Sequence, residues 1–134
     1  MFLRADAIVL KMKPVDQDRF YVEGVSRGNC QQAATASILG LPLADVPNFH
    51  DCENGFWEGY YGFLRSRGFT DVQLPPDRCP ECFYLAYGKS ARGVLHACVY
   101  RGGLLVHDPH PSRSGLIAVK EIHLIVPIEI NLEG

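Results

Sequence analysis

The stretch that decides the fold reads GNCQQAATASILG, from residue 28 to residue 40. Its alanines favour helix, Asn29 is a residue type that often caps a helix N-terminus, and Gly40 is typical of the position just past a C-terminus. The stretch therefore predicts a helix over residues 30–39, with Cys30 in its first turn. A thiol at that position faces unpaired backbone N–H groups and the positive end of the helix dipole, and both favour the thiolate.

Outside this helix, the hydrophobic pattern changes from a helical to a strand period along the chain. Aromatic residues at three- and four-residue spacing predict a second helix over residues 55–67, with its aromatic stripe in the core. The proline-rich stretch 71–82 is predicted to be a loop. Strands are predicted over residues 6–12, 83–87, 94–100, 104–107 and 116–126, with alternation continuing through Ile128, Ile130 and Leu132. Helices early and strands late indicate an α+β fold with an antiparallel sheet.

Length and composition limit the class of protein. The 134 residues, 47% of them hydrophobic, predict one domain spanning residues 1–134. Thirteen basic and fifteen acidic residues, with no basic block, argue against a nucleic-acid partner. No apolar run reaches the ~18 residues of a membrane span, so no membrane partner is expected. The N-terminus does not resemble a signal peptide, and five cysteines do not form a complete disulfide framework, so a cytoplasmic protein is expected.

His96 is the histidine whose strand context points to chemistry. It lies in the predicted strand 94–100, which turns into a second strand that ends near Asp108. A three-residue loop over 101–103 would pair Tyr100 with Leu104 and set His96 opposite Asp108 on one face of the sheet. A two-residue loop over 101–102 would instead set His107 opposite His96. The first register predicts that Asp108 orients the imidazole while the imidazole activates a thiol such as Cys30.

These residues match a family pattern. GNCQQA at residues 28–33, continuing into ASILGLPL at 36–43, resembles the catalytic-cysteine helix of papain-like cysteine peptidases. It is most similar to the small bacterial and phage proteins related to the double-glycine leader peptidases. HACVY at 96–100 and HDPHP at 107–111 resemble the histidine strand and Asp-Pro step of that family. The resemblance implies a papain-like α+β fold, in which N-terminal helices that include the cysteine-bearing helix pack on a C-terminal antiparallel sheet.

The resemblance also implies a reaction class and roles for named residues. Cys30 would be the nucleophile, His96 the general base and acid, and Asp108 the residue that orients His96. The expected reaction is hydrolysis or acyl transfer at a peptide, isopeptide or other amide or thioester bond, without a cofactor. The implied partner is a peptide or amide-containing substrate, and the small size leaves open that a homo-oligomer or a large substrate completes the cleft.

One position departs from the family pattern. In that family, a glutamine about six residues upstream of the cysteine donates a hydrogen bond in the oxyanion hole. Gly24 occupies that position here, and the nearest upstream candidate is Gln17. An inserted loop over residues 18–27 would have to bring Gln17 to the site. The departure leaves an alternative open, in which the chain is a catalytically weak or inactive papain-like module that binds a peptide or small ligand.

Two groups of residues are also candidate metal ligands. Cys79 and Cys82 form a C-x-x-C pair that could bind zinc together with His50 and Cys52. His107, Asp108 and His110 are close in sequence and form a second group. The prolines at 109 and 111 favour a rigid loop that braces the site, so no metal is expected there.

Overall fold

The computed structural model describes residues 11–128, with a helical part followed by a sheet. A small hairpin of β1 (Tyr21–Val22) and β2 (Ser26–Arg27) precedes α1 (Cys30–Leu39), two 3₁₀ turns and α2 (Phe56–Ser66). The strands follow as β3 (Phe69–Leu74), β4 (Tyr84–Ser90), β5 (Leu95–Arg101), β6 (Leu104–His107) and β7 (Leu116–Pro127). The predicted α+β class, with helices before strands, is confirmed.

Strands β3 to β7 form one five-stranded sheet in the order β3-β7-β4-β5-β6. Every neighbouring pair is antiparallel, as predicted. The backbones of β4 and β7 approach closely at Gly88, where a Cβ atom would collide with the carbonyl oxygen of Ala118. The register of the two strands shifts at this point, which bends the middle of the sheet.

The core has two parts, one on each face of the sheet. The helices pack on one face, where Ala34 and Ile38 of α1 meet Leu85 and Val99 of the sheet. Small alanine side chains on α1 allow this close approach. The opposite face buries a second cluster that includes Cys98 and Tyr100. Since successive side chains of a strand point to opposite faces, β5 contributes to both parts of the core and lies directly under α1.

The predicted helices are confirmed, with one correction at the start of α1. Gly40 ends α1 in the left-handed conformation, with φ of 67°. Asn29 occupies the cap position, but its side chain accepts no hydrogen bond from a backbone N–H group of the helix. Its amide oxygen instead accepts hydrogen bonds from the backbone N–H groups of Asp18 and Arg19. The predicted capping role of Asn29 is therefore wrong, because a non-local loop uses its acceptor.

The predicted loop over residues 71–82 is wrong at its start, because residues 69–74 form β3. All six residues of β3 pair with β7. The strand ends at Leu74, directly before Pro75. Of the predicted strand 6–12, only Lys11 and Met12 lie within the described residues, and neither is in a strand. The alternation predicted for Ile130 and Leu132 lies outside the described residues.

The predicted register of the β5–β6 hairpin is also wrong. The turn consists of Gly102 and Gly103, both with positive φ, so that Arg101 pairs with Leu104. This is the conformation that two-residue hairpin turns favour. A register shift follows, and Val99 lies opposite His107. Asp108 therefore lies just beyond the end of β6 and not opposite His96 on a paired strand.

No helix within residues 11–128 has the length and apolar character that crossing a bilayer requires.

Candidate active site

Cys30 is the first residue of α1 and is half-buried at the edge of a cleft. Packing of α1 on β5 carries the N-terminus of the helix to the beginning of that strand, where His96 lies. The Cys30 thiol and the His96 imidazole line the same hollow, and the thiol is close enough to contribute to the raised pKa of His96. The predicted convergence of the helix-borne thiol and the strand histidine is therefore present in the structure.

His96 and Asp108 form a buried hydrogen-bonded pair. The Nε2 atom of His96 lies 2.6 Å from Oδ1 of Asp108, and the two residues are 2% and 1% exposed. Asp108 also accepts hydrogen bonds from the backbone N–H groups of His110, at 2.9 Å, and Gly115, at 2.8 Å. Because Nε2 is held by Asp108, the Nδ1 edge of the ring is the one left for the Cys30 sulfur.

The electrostatics of the pair keep both groups charged. Burial by itself lowers the pKa of His96, but hydrogen bonds with Asp108, Cys30 and Cys98 outweigh it and raise the pKa to about 11. Burial also raises the pKa of Asp108, yet the hydrogen bonds from His96 and two backbone N–H groups hold that pKa well below its usual range. His96 therefore carries a proton at neutral pH, and that proton can be transferred to a leaving group.

Cys98 is a second thiol at the site, and the sequence analysis assigned it no role. It lies two residues after His96 on β5, so its side chain points to the same face, and it is fully buried. Its sulfur lies within 4.8 Å of polar atoms of both His96 and Asp108, and burial raises the pKa of its thiol. The alternation in HACVY would have revealed this contact, since residues i and i+2 of a strand share a face.

The donor atoms of His96, Cys98 and Asp108 lie within 4.8 Å of one another, which raises the question of a metal ion. A tetrahedral zinc site with bonds of ~2.0 Å separates its ligand atoms by roughly 3.3 Å. The His96 nitrogen and Asp108 oxygen are closer than that, at 2.6 Å. A shared proton fits this separation, and a metal ion does not.

Gln17 reaches the same cleft despite its distance along the chain. It lines a hollow of about 240 Å³ together with Cys30 and His96. The β1–β2 hairpin accounts for the additional residues between Gln17 and Cys30, because its antiparallel pairing turns the chain back toward Cys30. The Gln17 amide nitrogen donates to the carbonyl oxygen of Arg19 at 2.8 Å, and its Oε1 has no partner among the described residues.

Asn29 holds the Gln17 segment against the start of α1, which the sequence reasoning missed. Its Oδ1 accepts from the backbone N–H of Arg19 at 2.9 Å, and its Nδ2 donates to the Asp18 carboxylate at 2.7 Å. The side chain is 2% exposed. These bonds span ten or eleven residues, so no local sequence signal could have indicated them.

The loop after β6 is braced by charge contacts, as the prolines predicted. Arg113 hydrogen-bonds to the Asp16 carboxylate and to the Asp108 carbonyl oxygen. His107 bonds to the carbonyl oxygen of Val15 at 3.0 Å, whereas His110 bonds to Ser112. His107, Asp108 and His110 therefore have separate partners and do not form a ligand group.

The candidate zinc ligands Cys79 and Cys82, together with His50 and Cys52, also do not form a compact group. Cys79 and Cys82 are exposed. Cys52 instead packs against Gly59 of α2, where a Cβ atom would collide with its sulfur, and His50 packs against Phe56. Within residues 11–128, the four side chains do not come together as a metal-binding group.

The cleft continues past Cys30 into a larger hollow of about 780 Å³. The two hollows share five lining residues, so they are contiguous on either side of the thiol: Tyr21, Arg27, Cys30, Val94 and Leu95. The β1–β2 hairpin forms one wall, and the turn between β4 and β5 forms the other.

Comparisons of the chain with family models, with curated proteins and with solved structures found no match.

Proposed function

We propose that the chain is a papain-like thiol hydrolase or acyltransferase that acts on an amide or thioester bond. One observation carries the proposal: a buried imidazole, held by Asp108 at 2.6 Å, lies near a thiol at a helix N-terminus beside an open cleft. Each part is common in proteins, but together they supply a nucleophile, an acid–base group and an orienting carboxylate.

The first step is attack by Cys30 on the acyl carbon of the substrate. In this step Cys30 reacts as the thiolate beside the protonated His96, and the sulfur forms a bond to carbon while the carbonyl π electrons move to oxygen. The backbone N–H of Cys30, at the positive end of α1, stabilises the resulting oxyanion. The second N–H of the Gln17 amide is the additional donor, since only one of its two hydrogens is needed for Arg19.

The second half of the reaction releases the acyl group. The tetrahedral intermediate collapses, the carbon–nitrogen bond breaks, and Nδ1–H of His96 gives its proton to the leaving amine. His96 then removes a proton from water or from an acceptor amine, which attacks the thioester. Collapse of the second intermediate breaks the carbon–sulfur bond and releases an acid or a new amide.

A binding module without turnover is the second candidate, and one observation favours it. The Gln17 amide nitrogen donates to a carbonyl of its own chain, so the oxyanion donor is partly engaged. Loss of one such donor typically costs ~100- to 1,000-fold in rate. A chain whose oxyanion hole lacks one donor could still use the cleft to bind a ligand without turnover.

Turnover of matched substrates separates the two candidates. Peptidyl amides, peptidyl thioesters and an amine acceptor would be offered to the wild type, to Cys30→Ala, and to Cys82→Ala as a matched control at an exposed thiol. We expect turnover by the wild type and Cys82→Ala, and a loss of at least ~1,000-fold in Cys30→Ala. Turnover that survives in Cys30→Ala would contradict the proposal, whereas peptide binding without turnover, unchanged in Cys30→Ala, would support the binding module.

A further inference from the structure

The charged side chains that line the cleft all have one sign. These side chains are Arg27 and Arg92; His50 and His110 lie beside them, and burial lowers the pKa of both histidines. Neither hollow has an Asp or Glu among its described lining residues. The chain as a whole carries fifteen acidic and thirteen basic residues, so this one-sided lining differs from the average surface. A cleft lined by one sign of charge concentrates ligands of the opposite sign.

The two cleft arginines are available to a ligand. Arg92 bonds to the hydroxyl of Ser112 at 3.0 Å, and within residues 11–128 neither Arg27 nor Arg92 has a carboxylate within 4.0 Å. By contrast, Arg19 pairs with Asp51 and Arg113 pairs with Asp16. An unpaired guanidinium beside a cleft can bind a carboxylate through two parallel N–H donors.

The position of the acid–base group divides the cleft into two halves. His96 must reach the leaving nitrogen, so the leaving half of a substrate lies in the smaller hollow, which His96 lines with Arg92 and His110. The acyl half then lies in the larger hollow. There Val22 and Val25 of the hairpin are exposed, Val25 to 82%, and Tyr87 forms part of the wall.

From this division we infer the substrate class: an acyl donor with an apolar side chain before the reacting bond and a carboxylate on the leaving half. The carboxylate belongs to an acidic residue or to the free C-terminus of a leaving amino acid, and Arg92 binds it. Arg27, which lines both hollows, stabilises negative charge on either side of Cys30. The inference rests on the proposed function, since the leaving half is defined by proton transfer from His96.

Alkylation with reagents of different charge tests the inference without needing a known substrate. Iodoacetate and iodoacetamide both transfer an alkyl group to a thiolate with loss of iodide, and they differ in one carboxylate. At low salt, the iodoacetate-to-iodoacetamide rate ratio at Cys30 is expected to exceed that at the exposed Cys79 and Cys82 about fivefold, measured by peptide mass spectrometry. Arg92→Gln and Arg27→Gln should each lower the ratio at Cys30, and the distant Arg78→Gln should not.

A second arm uses two peptides that differ only in the leaving half, with Glu in one and Gln in the other. The Glu peptide is expected to have the higher kcat/KM, and Arg92→Gln should reduce that preference. A reactive Cys30 that shows no preference for the anionic reagent or peptide would overturn the inference and leave the proposed function intact. A Cys30 no more reactive than Cys79 and Cys82 toward either reagent would overturn both.

Discussion

At Asp108, both carboxylate oxygens have donors that come from different parts of the chain. His96 and the N–H of His110 bond to Oδ1, and the N–H of Gly115 bonds to Oδ2. These donors fix the carboxylate and therefore the ring of His96. The residue thus orients the imidazole and stabilises its positive charge, and it does not need to exchange a proton itself.

The variant Asp108→Asn tests this role, because it keeps the shape and removes the charge. We expect kcat to fall by ~10³- to 10⁴-fold, since the imidazolium loses its counter-charge and the ring its orientation. Asp16→Asn is the matched control at a half-exposed carboxylate that bonds Arg113, and it should change kcat by less than about threefold. Equal losses in the two variants, with both still folded by circular dichroism, would argue against an orienting role for Asp108.

Cys98 is expected to act as a positioning residue for the His96–Asp108 pair. Cys98→Ala removes a thiol that lies beside both residues and should lower kcat about five- to tenfold with little change in KM. Cys98→Ser restores a donor of similar size and should recover most of the rate. If Ala and Ser lower kcat equally and reduce the melting temperature in parallel, Cys98 contributes only to packing.

At the scale of elements, the β1–β2 hairpin separates Gln17 from Cys30 along the chain, and both residues still line the same hollow. The Asn29 side chain accepts hydrogen bonds from the backbone N–H groups of Asp18 and Arg19, which precede the hairpin. The backbone N–H of Gln17 bonds to the Pro109 carbonyl at 3.1 Å. The segment before the hairpin is therefore tied both to α1 and to the loop that carries Asp108.

Asn29→Ala is expected to uncouple that segment from Cys30. Two backbone N–H groups lose their acceptor, which should lower the free energy of unfolding by about 1–3 kcal/mol and reduce kcat/KM more than tenfold. Asn48→Ala removes an exposed hydrogen bond to the N–H of His50 and serves as the matched control. An Asn29→Ala variant that is destabilised but fully active would show that the Gln17 segment does not contribute to the reaction.

At the scale of the whole molecule, a buried cluster joins α2 and both strands of the β3–β7 pair. His123 bonds to Asp71 through Nδ1, at 3.1 Å, and to Glu121 through Nε2, at 2.8 Å. Tyr60 donates to the same Asp71 at 2.7 Å, and Trp57 stacks on the His123 ring. Burial lowers the pKa of His123, but the two carboxylates outweigh it and raise the pKa.

This cluster predicts how stability changes with pH. Because the folded-state pKa of His123 lies above 6.5, its contribution is fully present below that pH and is lost as the pH rises through the raised value. His123→Gln should lower the free energy of unfolding by ~3 kcal/mol at pH 6 and by less at pH 9. Urea unfolding of both proteins at the two pH values measures this difference. A destabilisation of the same size at both pH values would contradict it.

Local sequence signals predicted most of the helices and strands. Non-local contacts account for places where the structure differs from the prediction. The alanine run and Gly40 indicated α1, and the hairpin turn was expected within residues 101–103. The register was mispredicted because the turn consists of Gly102 and Gly103 alone, and because a shift between Val99 and Tyr100 places His107 opposite Val99. Strand β3 was missed because its sequence alternates weakly and it is ordered by pairing with β7, to which Asp71 contributes a buried bond.

Only part of the candidate site could be predicted, because some of its residues carry local sequence signals and others depend on non-local contacts. Cys30, His96 and Asp108 carry local signals at a helix start, in a strand and at a strand end. The role of Asn29 depends on contacts across ten or more residues, which a sequence pattern does not contain. Cys98 differs, because a period-two reading of β5 would have placed it beside His96.

The most direct test of the central claim is the alkylation rate of Cys30 by iodoacetamide at pH 6, read against the other thiols of the chain. An imidazolium beside the sulfur favours the reactive thiolate at a pH where exposed thiols are almost entirely protonated. We predict that Cys30 reacts at least ~10 times faster than Cys79 and Cys82, and that His96→Gln removes this advantage. If Cys30 reacts no faster than those two thiols, or if its rate is unchanged in His96→Gln, the account of an activated nucleophile is wrong.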